Sequence, residues 1–171
     1  DRSVSRGLGD VYKRQIIFRD VTSVIQDADG LHLAIDGLQN ILDGVDFDVV
    51  VGPESRGFIF GVPVAYNMHK AFVPVRKKGK LPCETVSQEY ALEYGTATIE
   101  MHKDSIRPGQ KVVIIDDLIA TGGTTEAIIK LVEQLGGKIV KIAFLMELEG
   151  LKGRDKLAGY SMDSVIKYPG K

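Results

Sequence analysis

Residues 112–126, VVIIDDLIATGGTTE, run four β-branched apolar residues into two carboxylates, then into two glycines flanked by threonines. A buried strand does not need paired acids at its end, and a structural turn does not need three hydroxyls beside two glycines. The pattern sets Asp116 and Asp117 at the carboxyl end of a strand, where ligands collect in open α/β sheets. Ala120, Thr121, Gly122, Gly123 and Thr124 then lead into a helix. The first amides of a helix lack intrahelical partners and carry partial positive charge. Glycines let backbone curl closely around an anion, and Thr121, Thr124 and Thr125 add hydroxyl donors. A phosphate is the natural occupant. The lysine–hydroxyl pair that ends a Walker loop is missing, which argues against triphosphate hydrolysis. Carboxylates beside a monophosphate cup suit a sugar phosphate instead, because two acids can accept hydrogen bonds from vicinal ribose hydroxyls while the loop holds the 5′-phosphate.

Other charged groups stand near strand ends. Glu54-Ser55-Arg56-Gly57 form a tight loop after FDVVVGP, and RKKGKLP gathers Arg76, Lys77, Lys78 and Lys80 around Gly79. With 22 basic and 23 acidic residues the net charge is −1, so composition gives no reason to expect a nucleic-acid or anionic-membrane partner. A local cationic run in such a chain serves a small anion, to which arginine can bind bidentately. EYALEYG adds Glu89, Tyr90, Glu93 and Tyr94. His32, His69 and His102 lie far apart without ligand spacing. The single cysteine, Cys83, permits no intrachain disulfide and no cysteine metal site, and the simple expectation is a reducing, cytoplasmic setting. No apolar run approaches the roughly 20 residues that span a bilayer, and the start of the chain lacks the basic-then-apolar order of a secretory signal.

The elements that must position these groups alternate. LHLAIDGLQNIL puts Leu31, Ala34, Ile35, Leu38, Ile41 and Leu42 on one helix face. FDVVVGPES predicts a strand covered on both sides. GFIFGVPVAYNM predicts a buried helix despite Pro63, and AFVPVR the next strand. TATIEMH turns Ala97, Ile99 and Met101 one way, as one arm of a half-exposed hairpin or flap. KVVIIDD is a buried strand. Ala127, Ile128, Leu131, Val132 and Leu135 then form a helix stripe ended by Gly136-Gly137, and KIVKIAFLMEL supplies another strand. The expected fold is a single α/β domain on a mostly parallel sheet flanked by helices, covering residues 16–171. Residues 1–15, DRSVSRGLGDVYKRQ, show neither periodicity nor capping and read as a non-native leader that resembles translated adapter sequence. Their GLGDVY lacks both the third glycine and the preceding strand of a dinucleotide motif.

VVIIDDLIATGGTT closely resembles the phosphoribosyl pyrophosphate signature of type I phosphoribosyltransferases. IIFRDVTSVI, ESRGFIFG, VPVRKKGKLP, LEYGTATIEMHKDSI and LMELEGLKGRDKL resemble, in order and spacing, the members of that family that use adenine. The likeness covers about residues 16–168. It implies the type I fold with a flexible flap and an N-terminal hood, and transfer of the 5-phosphoribosyl group to adenine, giving AMP and pyrophosphate. It assigns the donor to Arg56, Arg76, Lys77, Lys80, Asp116, Asp117, Ala120, Thr121, Gly122, Gly123 and Thr124. It assigns adenine to Phe18 by stacking, to the Ile17 backbone and to Arg19 at the ring edge. Glu93 handles the purine proton and Tyr94 helps close the flap, so the expected catalytic set is Glu93, Arg56, Tyr94, Asp116 and Asp117. The family implies Mg²⁺ carried by the substrate near Asp116 and Asp117, with no direct protein ligand, and a homodimer. Where VYKRQ precedes IIFRD, the family has a proline- and glycine-rich approach. The donor loop would look the same in an enzyme for hypoxanthine, xanthine or orotate, or in a non-catalytic sensor of phosphoribosyl pyrophosphate.

Overall fold

The structure, a computed structural model, describes residues 21–92 and 94–170. A short helix α1 (Thr22–Ile25) precedes α2 (Ala28–Ile41), whose start is fixed by Asp27: its carboxylate accepts the Gly30 amide at 2.9 Å. β1 (Val49–Pro53) is buried throughout and leads into α3 (Arg56–Asn67). Pro63 lies inside α3, where it removes one N–H without ending the helix. There follow β2 (Ala71–Lys77), the hairpin β3 (Thr85–Ala91) and β4 (Thr96–His102), then β5 (Lys111–Ile119) and α4 (Gly123–Gln134). The chain continues through β6 (Lys138–Leu148), a 3-10 turn (Glu149–Leu151), α5 (Gly153–Lys156) and β7 (Met162–Tyr168).

The sheet order is β3-β4-β2-β1-β5-β6-β7. β2, β1, β5, β6 and β7 pair in parallel, and the β3–β4 hairpin adds antiparallel strands at the β2 edge. The mostly parallel sheet expected from the sequence is present. Alternating strand residues divide the core into two layers, since successive side chains point to opposite faces. Val50, Val113 and Ile115 meet α2 and α3 through Leu38, Phe60 and Val64. Val51, Val112 and Ile114 meet α4 through Ile128, Leu131 and Val132. Each such fully buried aliphatic side chain contributes on the order of 1.5–3 kcal/mol, so the strand ends at the top of β1 and β5 rest on a rigid base.

The hairpin differs from the expectation in one respect. TATIEMH is an arm, as the alternation implies, but Glu100 is buried beside Ile99 and Met101. Its partner arm β3 carries Val86 and Tyr90 against the layer that holds α4. The flap segment is thus laid over the helix that follows the glycine loop.

Candidate active site

A cavity opens at the carboxyl ends of β1 and β5, bounded by residues 53–56, Tyr90 and residues 116–125. β5 extends through Asp116 and Asp117 to Ile119, so both acids are anchored in the strand and nearly buried, at 9% and 4% exposure. Asp116 Oδ1 accepts the Asp117 amide at 2.7 Å. Burial pushes the Asp116 carboxyl well above the usual carboxylate range, and the neighbouring Asp117 charge pushes the same way. Arg56 Nε stands 2.9 Å from Asp117 Oδ2. The contact is ionic rather than aligned, because Asp117 Oδ2 is buried with no hydrogen-bond partner. Arg56 is half exposed and its pairing is correspondingly weak, which leaves it free to turn toward an anion.

The loop after β5 is shaped by close approaches. Gly122 has φ +88°, a left-handed conformation that favours glycine, and a Cβ there would stand 2.8 Å from the Gly153 carbonyl oxygen. A Cβ on Gly153 would in turn overlap the Ala120 carbonyl and stand 2.8 Å from Ile119 Cγ1. A Cβ on Gly57 would meet Pro53 Cδ at 2.7 Å and Asp116 Oδ1 at 3.2 Å. The arginine loop, the acid pair, the glycine loop and α5 are therefore fitted against one another. α5 is tied down by Glu147, buried at the end of β6. Arg154 donates to both of its oxygens at 2.8 and 3.1 Å, and Ser164 donates at 2.9 Å. Burial alone would raise the Glu147 pKa, but these hydrogen bonds outweigh it and hold the carboxyl below its usual range.

Thr121, Gly122, Gly123, Thr124 and buried Thr125 line the cavity where α4 begins, and the unpartnered first-turn amides of a helix form a cup that can hold an anion. Of the residues singled out in the sequence, Arg56, Asp116, Asp117, Ala120, Thr121, Gly122, Gly123 and Thr124 share this wall. Arg76, Lys77 and Lys80 do not line it. They gather at the end of β2 and just beyond, and Glu54 links them to the cavity: its carboxylate accepts the Lys77 amide at 2.7 Å and Arg76 Nη2 at 3.3 Å. Chiefly the Lys77 hydrogen bond, with Arg76 adding to it, keeps the Glu54 carboxyl below the usual range. Tyr94 is 88% exposed between the hairpin arms. Ile17, Phe18, Arg19 and Glu93 lie outside the described residues.

Sequence reasoning gave no role to Glu54, Tyr90 or Gly153. Glu54 had a usable signal, an acid beside the arginine loop. Gly153 had none, since its constraint comes from residues about thirty positions away.

The phosphoribosyl transferase domain model matches residues 22–169. The chain belongs to the phosphoribosyltransferase family. Among phosphoribosyltransferases, the adenine phosphoribosyltransferase of Lachnoclostridium phytofermentans is 75% identical over 166 residues, covering 97% of this chain and 95% of the relative. The crystal structure of adenine phosphoribosyltransferase from Thermoanaerobacter pseudethanolicus matches at 54% identity and TM-score 0.86, covering 88% of each chain. The Saccharomyces cerevisiae enzyme, solved with adenine and an imino-altritol bisphosphate, matches at 39% identity and TM-score 0.79, covering 85% of each chain. The type I phosphoribosyltransferase fold accounts for the placement of acids and glycine loop at the sheet's carboxyl edge.

Proposed function

We propose that the chain transfers the 5-phosphoribosyl group of phosphoribosyl pyrophosphate to adenine, giving AMP and pyrophosphate, as the names of its relatives indicate for those proteins. The observation that carries this reading is the buried acid pair sharing one cavity with an anion cup and Arg56. The cup takes the 5′-phosphate, and Asp116 and Asp117 accept from the ribose hydroxyls. As the C1–O bond breaks, positive charge develops on the sugar, and the two carboxylates oppose it electrostatically. Arg56 leaves Asp117 for the departing pyrophosphate. Arg76, Lys77 and Lys80, at the end of β2 and just beyond, offset the charge of the same anion, and the hairpin closes over the site to exclude water from the cationic sugar. Ile17, Phe18 and Arg19 hold the base, Tyr94 seals the flap, and Glu93 manages the purine proton.

Mg²⁺ fits the donor set. Among the described residues no group of three or more His, Cys, Asp or Glu gathers, and the cavity offers a carboxylate pair, one oxygen of which has Arg56 as its ionic neighbour and no hydrogen bond. That suits an ion that keeps waters and arrives on its substrate, where it would neutralise the pyrophosphate. The exposed stripe Ile59, Val62 and Tyr66 on α3 supports a homodimer. No helix among the described residues is long and apolar enough to cross a membrane. The exposed free thiol of Cys83 is in keeping with the cytoplasm.

The decisive assay follows AMP formation from adenine, donor and Mg²⁺, with hypoxanthine, xanthine and orotate as competitors, for the full chain and for residues 16–171. Adenine is expected to be the preferred acceptor and the shorter chain to be active. Preference for another base would reassign the acceptor, and donor binding without turnover would favour a sensor. Glu93→Ala is expected to lower kcat roughly a hundredfold or more with little change in donor affinity. The reverse pattern would remove Glu93 from the proton role.

A further inference from the structure

Tyr90 is the one hairpin side chain, among the described residues, on the wall of the cavity. It is half-buried, whereas its neighbours Glu89 and Ala91 are exposed. Its ring edge, Cδ2, lies 3.8 Å from the Cβ position of Gly123, the first residue of α4. Its hydroxyl accepts the Thr124 hydroxyl at 3.5 Å, a long bond that is readily exchanged. A phenol can accept and donate at once. With its oxygen accepting from Thr124, Tyr90 keeps a hydrogen of its own to donate into the cavity.

We propose that Tyr90 is a further phosphate-binding residue of the cup, and that through it the position of the β3–β4 hairpin depends on whether the cup is filled. A phosphoryl oxygen seated on the first-turn amides of α4 would accept that hydrogen. Once that bond forms, the anion joins Thr124 on α4 to Tyr90 on β3. β3 is an edge strand paired with β4 alone, so its remaining anchorage is through side chains such as Val86 and Tyr90 that pack on the α4 side. One added hydrogen bond at that edge changes how often the hairpin lifts. The inference rests on the reading of the cup as the 5′-phosphate site.

The test is calorimetric titration of ribose 5-phosphate and, separately, inorganic pyrophosphate into the wild type and Tyr90→Phe, with amide hydrogen exchange over residues 85–91. Phenylalanine keeps the ring against Gly123 and removes only the hydroxyl. Tyr90→Phe is expected to weaken ribose 5-phosphate binding roughly three- to tenfold. Pyrophosphate affinity should stay unchanged, and the protection that ribose 5-phosphate confers on the hairpin should be lost. Equal ribose 5-phosphate affinities, or the same loss for both ligands, would overturn the assignment. A wild-type protein that takes up no ribose 5-phosphate would refute the cup itself, a separate failure visible before any variant is made.

Discussion

Replacing Asp116 and Asp117 together by asparagine is expected to lower kcat/KM for AMP formation roughly a hundred- to thousandfold or more, while raising the melting temperature at neutral pH. The two effects have one origin. Asp116 is held in a buried site beside a second acid, which is why its carboxyl titrates well above the normal range. In the unfolded chain the same group titrates near the ordinary aspartate value of 3.8. A raised folded pKa means that the native state binds the proton more tightly, so ionisation costs stability as pH rises through that window. Below the unfolded value both states are protonated and the cost vanishes; above the folded value it is complete. The melting advantage of the asparagine variant over wild type should therefore be absent at the acid end and grow toward neutrality. Steady-state kinetics and melting curves across a pH series measure both halves. Near-wild-type turnover would take the acids out of the reaction, and a melting difference independent of pH would contradict the burial argument.

Gly153→Ala is expected to raise the KM for phosphoribosyl pyrophosphate roughly tenfold or more, the scale at which overpacking by a single methyl group is felt. Gly153 belongs to α5 and is remote from the glycine loop in sequence. Its added Cβ would nevertheless collide with the Ala120 carbonyl and press on Ile119 Cγ1. Backbone cannot yield as a flexible side chain does, so either the cup or α5 must shift. The Glu147–Arg154 pair resists movement of α5, which directs the displacement into the cup. Gly170→Ala, where an added Cβ meets nothing within 4 Å, is the control and should leave the KM unchanged. A Gly153→Ala enzyme with wild-type KM would show that α5 does not brace the loop.

β5, the glycine loop and α4 were legible in the sequence because three local signals agree there: an apolar run, a glycine turn and a helical stripe. β3 and β7 were not. TVSQEYA is an edge strand whose residues are mostly half-buried or exposed, so it carries little apolar signal, and MDSVIKY mixes charge with its apolar residues. The acids and the loop could be read as one site because they adjoin in sequence and in space. The cations after β2 show the limit of that reasoning. Arg76, Lys77, Lys78 and Lys80 read as a cationic run for a small anion, and the family resemblance picked out Arg76, Lys77 and Lys80, yet the relation of that run to the cavity goes through Glu54, a partner more than twenty residues earlier. Gly153 shows it again, since a steric requirement set by another segment leaves no local pattern.

The mutual fit of Gly57 with Asp116, and of Gly122 and Ala120 with Gly153, bears on protein engineering. The segment DDLIATGG is not a portable cassette. Transplanted alone onto another parallel scaffold, it would arrive without the two counter-surfaces that set its curvature, and a successful graft must carry residues 53–57 and the turn at 153 along with it.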